Sequence, residues 1–378
     1  MSYYPFDCLS LKTQESLAGK WRDKIKTSDP SGNMLKNANL AFKEEYGVED
    51  ECAMVIHIDD SFLKICEVKN SQDKGKKIIT NEYVINFQKN IKEDVMCNIN
   101  IWIWIVQQIL IFCRKYKKEY STGYLAISYP LERIGENDYR ILNFKKKFLF
   151  DKKSFENKNP IEEINKNCKK FLSFDLEFKG VINDSVATAV AAHYNFSKGL
   201  LGVIVGTDTN GSIIKENKEG KRYIFDTEWT NFEGAKFITN AIDLEIIDEL
   251  VKNGIAYNLL DVIAGESQVM NYCRKIAKSV YNYILPEDMK LEDIYYKKEV
   301  FGKLNHLIAK KVLKIFKKRS NGIIASMILG TLLSLEKIDD EVCVVLNIKT
   351  YRSSKEKERF IASLNKLKEK MEVKTNIN

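Results

Sequence analysis

The sequence contains little proline, histidine or glycine, and it lacks a long uninterrupted hydrophobic run. Five prolines and 18 glycines in 378 residues exclude collagen-like and low-complexity proteins. Three histidines, and eight cysteines without a Cys-x-x-Cys pair, exclude the common structural zinc sites, so we predict no metal ligands. The widely spaced cysteines are typical of reduced, buried thiols in a cytoplasmic protein.

The apolar stretch at residues 99–113 is the one segment that imitates a membrane span. Asn100, Gln107 and Gln108 interrupt it, and the remaining apolar run is too short to cross a bilayer. We therefore predict a buried helix and no membrane span. Residues 1–12 have no apolar core after a basic segment, so we expect no signal peptide and a cytoplasmic location.

The composition is typical of a globular protein. Hydrophobic residues make up 44% of the chain and charged residues 30%, which excludes intrinsic disorder. A chain of this length can bury a large core without disulfides. The net charge of +8 comes from interspersed charges of both signs rather than from a basic block, so we predict no nucleic-acid partner.

The hydrophobic pattern predicts strands followed by helices, twice over, which is typical of two α/β lobes. We predict an N-terminal helical segment over 1–45 that packs on the large lobe, a small lobe over 46–195 and a large lobe over 196–378. The predicted strands are 53–58, 62–68, 78–87, 124–129, 178–182, 201–205, 212–215 and 342–347. The predicted helical regions are 8–45, 99–116, 161–172, 185–194, 239–335 and 354–371.

Three segments carry residues suited to chemistry, and each also has a simpler interpretation. Residues 182–188 run from a strand end into a helix, where Asp184 is either an ordinary helix cap or a carboxylate at a cleft edge. Residues 205–211 form either a plain hairpin turn or a loop whose N–H groups bind phosphate or sugar. In the third segment, residues 226–229, Glu228 is either a surface charge or a ligand-binding carboxylate.

The order and spacing of these segments resemble the eukaryotic hexokinase family. The matching motifs are Asn-Asp-Ser-Val-Ala-Thr at 183–188, Val-Gly-Thr-x-Thr-Asn at 205–210 and Thr-Glu-Trp-x-x-Phe at 227–232. Upstream, Ser-Tyr-Pro at 128–130 and Asn-Phe-Lys-Lys-Lys-Phe at 143–148 correspond to the family's sugar-binding loop and following segment. The resemblance covers roughly residues 10–355. It implies a two-lobed α/β fold of the actin-like sugar-kinase type, with a central cleft that closes over glucose and ATP.

The resemblance also implies a role for each matching residue. Asp184 corresponds to the catalytic base that accepts the proton of the sugar 6-hydroxyl. The residues that correspond to sugar contacts are Ser128, Lys146, Asn183, Asn210 and Glu228. The residues that correspond to nucleotide contacts are Ser61, Lys64 and Thr207.

The nucleotide side departs from the family pattern. Where the family has Asp-x-Gly-Gly-Thr-Asn-x-Arg, this chain has His-Ile-Asp-Asp-Ser-Phe-Leu-Lys at 57–64. Asp59 and Asp60 replace two glycines, and their charges repel phosphate unless a cation bridges them. Further along, Leu260 replaces a second sugar carboxylate, Asn347-Ile-Lys349 replaces Asp-Gly-Ser, and the closing glycine loop has no counterpart before Asn378.

Two functions follow from this resemblance. The first is ATP-dependent 6-phosphorylation of glucose or a related hexose at the start of glycolysis, with Mg-ATP bound weakly. The alternative is a catalytically impaired relative that acts as a sugar-binding sensor or a protein-interaction scaffold.

Overall fold

The computed structural model divides into two compact units. The smaller unit comprises Lys36–Ala187 and Glu216–Phe225, and the larger unit comprises Met1–Leu35, Thr188–Lys215 and Asp226–Asn378. The predicted lobe bounds remain predictions. The structure describes residues 9–27, 40–41, 52–70, 77–87, 97–135, 138–144, 148–196, 199–216, 222–296, 302–335, 341–348 and 353–377.

Helices and strands follow the predicted order. The strands are β1 (Leu40–Ala41), β2 (Cys52–Ile58), β3 (Phe62–Asn70), β4 (Lys77–Asn86), β5 (Thr122–Ile127), β6 (Leu131–Arg133), β7 (Tyr139–Ile141), β8 (Glu177–Asn183), β9 (Gly199–Val205), β10 (Thr209–Glu216), β11 (Arg222–Asp226), β12 (Glu341–Ile348) and β13 (Asn376–Ile377). The helices are α1 (Leu11–Thr27), α2 (Ile101–Tyr116), α3 (Pro160–Phe171), α4 (Asp184–Asn195), α5 (Ala241–Lys252), α6 (Leu259–Ala264), α7 (Val269–Tyr281), α8 (Leu291–Tyr296), α9 (Lys303–Leu333) and α10 (Ser354–Lys370).

Two of the predicted elements are wrong in part. Helix α1 ends at Thr27, and Leu40–Ala41, which we predicted as helical, pairs as a strand with Tyr223–Ile224. The predicted turn 206–211 is shorter than expected, because Thr209, Asn210 and Gly211 already pair with β9 as part of β10. The other predicted strands and helices are confirmed to within a few residues, since their apolar periodicity is strong.

The smaller unit is built on a five-stranded sheet in the order β4-β3-β2-β5-β8. β2 and β3 are antiparallel, whereas β5 runs parallel to both β2 and β8. Ile58 pairs with Ile127, and Ile127 pairs with Asn183. Because these are the last residues of three parallel strands, the residues that follow them meet at one edge of the sheet.

Helix α2 covers this sheet and is buried, as predicted. Asn100 caps it by accepting hydrogen bonds from the backbone N–H groups of Trp102 and Ile103. Trp102 is fully buried, and its indole N–H donates to the carbonyl of Ser154. Within the described ranges, no helix combines the length and the apolar character that crossing a membrane requires.

A buried carboxylate, Glu67, ties the middle of this sheet together. Burial alone would raise its pKa, but hydrogen bonds from Lys118, Thr80, Tyr120 and Lys69 hold the pKa of Glu67 far below its ordinary value. Lys118 Nζ lies 2.8 Å from Glu67 Oε2, and Tyr120 donates to the same oxygen over 2.6 Å. The ionised form of Glu67 is therefore the form that stabilises the fold.

We expect Glu67→Gln to lower stability by about 1–3 kcal/mol at pH 7, because charged hydrogen bonds are lost. The folded pKa lies below the unfolded value of 4.5, so this contribution is full above pH 4.5 and is lost as the pH falls further. Urea unfolding at pH 7 and pH 3.5 measures the free energy of unfolding of both proteins. The difference in that free energy between wild type and variant should be smaller at pH 3.5. The control Glu82→Gln breaks the exposed Lys64 pair and should change stability by under about 1 kcal/mol. A stability difference that does not change with pH would contradict the conclusion that the ionised form of Glu67 stabilises the fold.

In the larger unit, β9 pairs with β10 in antiparallel fashion and with β12 in parallel fashion. Gly202 of β9 is required for packing against α4, because a Cβ there would lie 2.3 Å from the backbone nitrogen of Ala189.

Helix α1 packs on α9. Trp21 of α1 is fully buried, and its indole N–H donates to Thr331 Oγ1 over 2.8 Å.

The helical layer of the larger unit contains a buried ion pair between Arg319 of α9 and Asp243 of α5. Arg319 is 1% exposed and Asp243 is fully buried. Arg319 Nη1 donates to Asp243 Oδ1 over 2.8 Å, and Tyr272 donates to the same carboxylate. Asp243 also forms a capping box with Asn240 at the start of α5. One carboxylate therefore joins α5, α7 and α9.

We expect Arg319→Met to destabilise the protein by about 3–5 kcal/mol, because it leaves the Asp243 carboxylate buried without its cation. Adding Asp243→Asn should recover part of the loss, since the amide has no charge to compensate. Denaturant unfolding of both variants measures this, with Lys318→Met as the control at an exposed neighbouring position. Equal losses in the single and double variants would show that the charge is not the cause.

Candidate active site

Four polar side chains meet at the carboxyl edge of the sheet in the smaller unit. Ser128 follows β5 and lies at the centre of the group. Its hydroxyl donates to Asp184 Oδ2 over 2.5 Å, lies 3.3 Å from Asp59 Oδ2 and lies 3.1 Å from His57 Nε2. A hydroxyl carries one proton, so the short bond assigns that proton to Asp184 and leaves His57 as the donor to Ser128.

Asn183, rather than Asp184, caps helix α4. The Asn183 amide oxygen accepts hydrogen bonds from the backbone N–H and the hydroxyl of Ser185, each over 2.8 Å. Its amide nitrogen donates to the carbonyl of Tyr129 over 3.2 Å. The interpretation of Asp184 as an ordinary cap is therefore wrong. Its carboxylate is bound by the Ser128 side chain at the strand edge.

The same edge contains a set of atoms that could hold a divalent cation. His57, Asp59 and Asp184 each offer one ligand atom, and these atoms lie within 4.8 Å of one another. Carboxylate oxygens suit Mg²⁺, and an added imidazole also suits Mn²⁺ or Zn²⁺. We predicted no metal ligands from the sequence, whereas the fold brings together three side chains with suitable chemistry. The sequence feature that pointed to this set was the pair His57 and Asp59, which stand where the family pattern has Asp and Gly.

The segment between β2 and β3 is a tight turn organised by Asp59. Asp59 is 4% exposed, and its Oδ1 accepts from the backbone N–H of Ser61 over 3.0 Å and from the Ser61 hydroxyl over 2.6 Å. Lys64, on β3, lies 2.9 Å from Glu82 Oε2. Two of the three predicted nucleotide contacts, Ser61 and Lys64, are thus bound to carboxylates of the smaller unit.

In the larger unit, a second polar group forms around Asn210. Its amide nitrogen donates to Asp226 Oδ1 over 2.8 Å and to Glu228 Oε1 over 3.2 Å. Glu228 is 7% exposed, so its interpretation as a surface charge is wrong. Its backbone is left-handed, with φ of 43°, a conformation that non-glycine residues rarely adopt. Asn231 donates to its other carboxylate oxygen over 3.4 Å.

Packing fixes the strand that carries Asn210. Trp229 is fully buried, and its indole N–H donates to Thr209 Oγ1 over 3.2 Å. Gly211 allows this contact, because a Cβ there would lie 2.7 Å from the Trp229 ring. The backbone N–H of Thr209 donates to Asp261 Oδ1 over 2.9 Å. Asp261 was not among the predicted site residues, and its signal in the sequence was its position beside Leu260.

The turn that carries Thr207 is held by the segment after α6. The backbone N–H of Glu266 donates to the carbonyl of Gly206 over 2.8 Å. Gly265 permits this approach, because a Cβ would lie 2.7 Å from the carbonyl oxygen of Thr207. Leu260, which replaces a family carboxylate, is fully buried in the core. The segment 260–265 therefore supports the predicted phosphate turn and offers no carboxylate at position 260.

The structure thus assembles the predicted residues in two groups. In the smaller unit it brings together Ser128, Asn183 and Asp184, with Ser61 nearby on the Asp59 turn. In the larger unit it brings together Asn210 and Glu228. Lys146 lies outside the described residues.

Comparisons with known proteins agree with the resemblance drawn from the motifs. A family model described as Hexokinase matches residues 25–194. Over 126 residues the chain is 27% identical to Hexokinase-1 of Pongo abelii, a match that spans 32% of this chain and only 14% of that relative.

Solved structures establish the fold. The chain is similar to the hexokinase of Schistosoma mansoni in complex with glucose, with a TM-score of 0.80 and 18% identity, over 99% of this chain and 92% of that one. A second hexokinase crystal structure gives a TM-score of 0.69 and 15% identity, over 99% of this chain and 94% of that one. The predicted actin-like sugar-kinase fold is confirmed. The fold of the chain is therefore that of the hexokinases, and residues 25–194 match the hexokinase family model.

Proposed function

We propose that this protein transfers the γ-phosphoryl group of Mg-ATP to the 6-hydroxyl of glucose or a related hexose. The observation that carries the proposal is the Asp184 carboxylate, which the Ser128 hydroxyl holds at 2.5 Å at the carboxyl end of β8. Ligands bind at the carboxyl ends of strands in open α/β sheets. A carboxylate in that position can accept a proton from a bound hydroxyl.

In the proposed reaction Asp184 takes the proton of the 6-hydroxyl as the sugar oxygen forms its bond to phosphorus. The bond between that phosphorus and the bridging oxygen breaks, and ADP leaves with that oxygen. Phosphoryl transfer has a loose transition state, so the placement of Asp184 matters more than its basicity. His57 and Asp59 are the residues that would hold a magnesium ion beside it, where the ion would neutralise charge on the phosphates.

Asn210 and Glu228 are the proposed sugar-hydroxyl contacts of the larger unit. The Asn210 amide and the Glu228 carboxylate can each form a hydrogen bond with a sugar hydroxyl, because a hydroxyl both donates and accepts hydrogen bonds. The hydrogen bond of 3.2 Å between them holds Glu228 in place before a sugar arrives. In the smaller unit, Asn183 would use the amide proton that does not bond to Tyr129, and Ser128 and Lys146 are the other proposed sugar contacts of that unit.

The turn around Asp59 favours a second candidate function, in which the protein binds sugar but is catalytically impaired. Asp59 occupies a glycine position of the family's first phosphate loop, and it is buried and bound to both the backbone and the hydroxyl of Ser61. Those Ser61 donors are therefore directed at a carboxylate of the protein instead of a phosphate. This arrangement lowers the expected affinity for ATP and leaves the sugar side unchanged.

Calorimetry of the purified protein distinguishes the two candidates. Glucose, Mg-ATP and both together are titrated in turn, and release of glucose 6-phosphate is followed in the same samples. Binding of both ligands with product release supports the kinase. Glucose binding without nucleotide binding or product supports the sugar-binding relative, and binding of neither ligand contradicts both. Glu228→Gln is the matched variant, which should weaken glucose binding and leave Mg-ATP binding unchanged.

A further inference from the structure

The larger unit contains a basic groove that no part of the proposed reaction uses. The start of α1, the end of α8, the first part of α9 and α10 enclose it, and its volume is about 870 Å³. Thr207, Asn210 and Glu228 are not among the residues that line it. The groove is therefore separate from the proposed sugar and phosphate contacts of this unit.

Cations dominate the lining of the basic groove. Seven lysine and arginine side chains line it with a single carboxylate, a net charge of +6 in a chain whose total is +8. Lys317 pairs with that carboxylate, Glu356, at 2.9 Å. In the part of the chain that the structure describes, the other six cations have no carboxylate within ion-pair distance. They are Lys310, Lys314 and Lys318 of α9 and Lys355, Arg359 and Lys366 of α10.

Their spacing places like charges side by side along two helices. Lys310, Lys314 and Lys318 follow each other at intervals of four, and Lys355 and Arg359 repeat that interval on α10. Like charges four residues apart lie side by side on a helix and repel each other. Two such rows face one groove, so like charges repel each other there, and a bound anion would relieve that repulsion.

Glu356, the single carboxylate among the residues that line the groove, is already paired. The Lys317 and Glu356 side chains are 12% and 14% exposed, and the Tyr295 hydroxyl also donates to Glu356, over 3.1 Å. The Lys317 ammonium lies 5.1 Å from the centre of the Tyr295 ring. Ser353 lines the groove at the start of α10 and makes no side-chain cap there. The N-terminus of α10 therefore adds positive partial charge to the same space.

We propose that the basic groove binds a small polyanion that carries several phosphate groups and is distinct from the sugar and the nucleotide of the proposed reaction. Lys310 and Lys318 are eight residues apart, about 12 Å along the helix, which is farther than one phosphate reaches. Several phosphates in a row would meet the cations of both helices. Four helices enclose the groove, which fits a small molecule better than a duplex or a flat membrane.

The test measures binding of inorganic tripolyphosphate, as the probe, to the full chain. Calorimetry at low ionic strength gives the affinity. The variant Lys310→Gln/Lys314→Gln/Arg359→Gln should weaken binding at least tenfold. The matched control is Lys278→Gln/Lys290→Gln/Lys357→Gln, which removes the same charge from exposed positions of this unit outside the groove and should change binding less than twofold. Tripolyphosphate should also raise the Tm of the wild type more than that of the groove variant. All three substituted groove side chains are exposed, so the variant should fold.

Each other outcome overturns the proposal. Equal losses of tripolyphosphate affinity in both triple variants would mean that the probe is attracted to any basic surface of the protein. Loss of binding in Thr207→Ala but not in the groove variant would place the probe at the nucleotide site. Inorganic phosphate that binds as tightly as tripolyphosphate would exclude a site for several phosphates. Binding of anionic vesicles or duplex RNA without binding of tripolyphosphate would exclude a small ligand.

Discussion

Replacing Asp184 with asparagine is expected to lower kcat by about 10²–10⁴, because it removes the proposed proton acceptor for the 6-hydroxyl. The asparagine amide oxygen can still accept the hydrogen bond from Ser128, which holds the native carboxylate at 2.5 Å. Glucose affinity and Tm should therefore change little. Steady-state kinetics of glucose 6-phosphate formation measures kcat, calorimetry measures glucose affinity, and thermal unfolding measures Tm.

Two control variants separate loss of the base from loss of fold or charge. Asp175→Asn removes an exposed carboxylate from the same unit and should leave kcat unchanged. Ser128→Ala keeps the Asp184 carboxylate but removes its hydrogen-bond donor, so kcat should fall by less than in Asp184→Asn. An Asp184→Asn protein with the wild-type kcat would exclude Asp184 as the base, and the proposed mechanism would fail with it.

Local patterns account for most of what the sequence predicted correctly. Strands β2 and β3 and helix α2 carry strong apolar periodicity, so their positions were predictable to within a few residues. Asp184 and Ser128 stand in motifs whose order along the chain was specific. Both follow the last residues of parallel strands, so their meeting at one sheet edge follows from the topology.

Pairing between distant residues accounts for what was missed. Asp226 and Asp261 support Asn210 and Thr209 from 16 and 52 residues away along the chain, and the tertiary fold rather than any local pattern brings them together. Glu228 looked like a surface charge because its burial depends on a left-handed backbone and on Asn210. The sequence showed that Asp59 adds charge, but it did not show that Asp59 binds Ser61.

The first phosphate turn is the second place where we expect a large effect. Replacing His57 with Asp, and Asp59 and Asp60 with Gly, should raise ATP affinity by up to about a thousandfold. At an effective dielectric near 20, one pair of like charges about 4 Å apart costs roughly 4 kcal/mol, which corresponds to that factor. The substitution also frees the Ser61 backbone N–H and hydroxyl, which Asp59 now occupies, so that both can bind phosphate.

The dependence on magnesium shows whether charge is the cause. A divalent cation held by His57 and Asp59 would offset the carboxylate charge near the phosphates, so the gain in affinity should be largest for ATP in EDTA and smaller for Mg-ATP. Asp175→Asn/Glu177→Gln removes two exposed carboxylates elsewhere in this unit and should change ATP affinity little. A restored turn that binds ATP no better than the natural one would place the defect elsewhere in the nucleotide site. A natural protein that already binds ATP with a Kd of about 1 μM would contradict the idea that Asp59 and Asp60 repel phosphate.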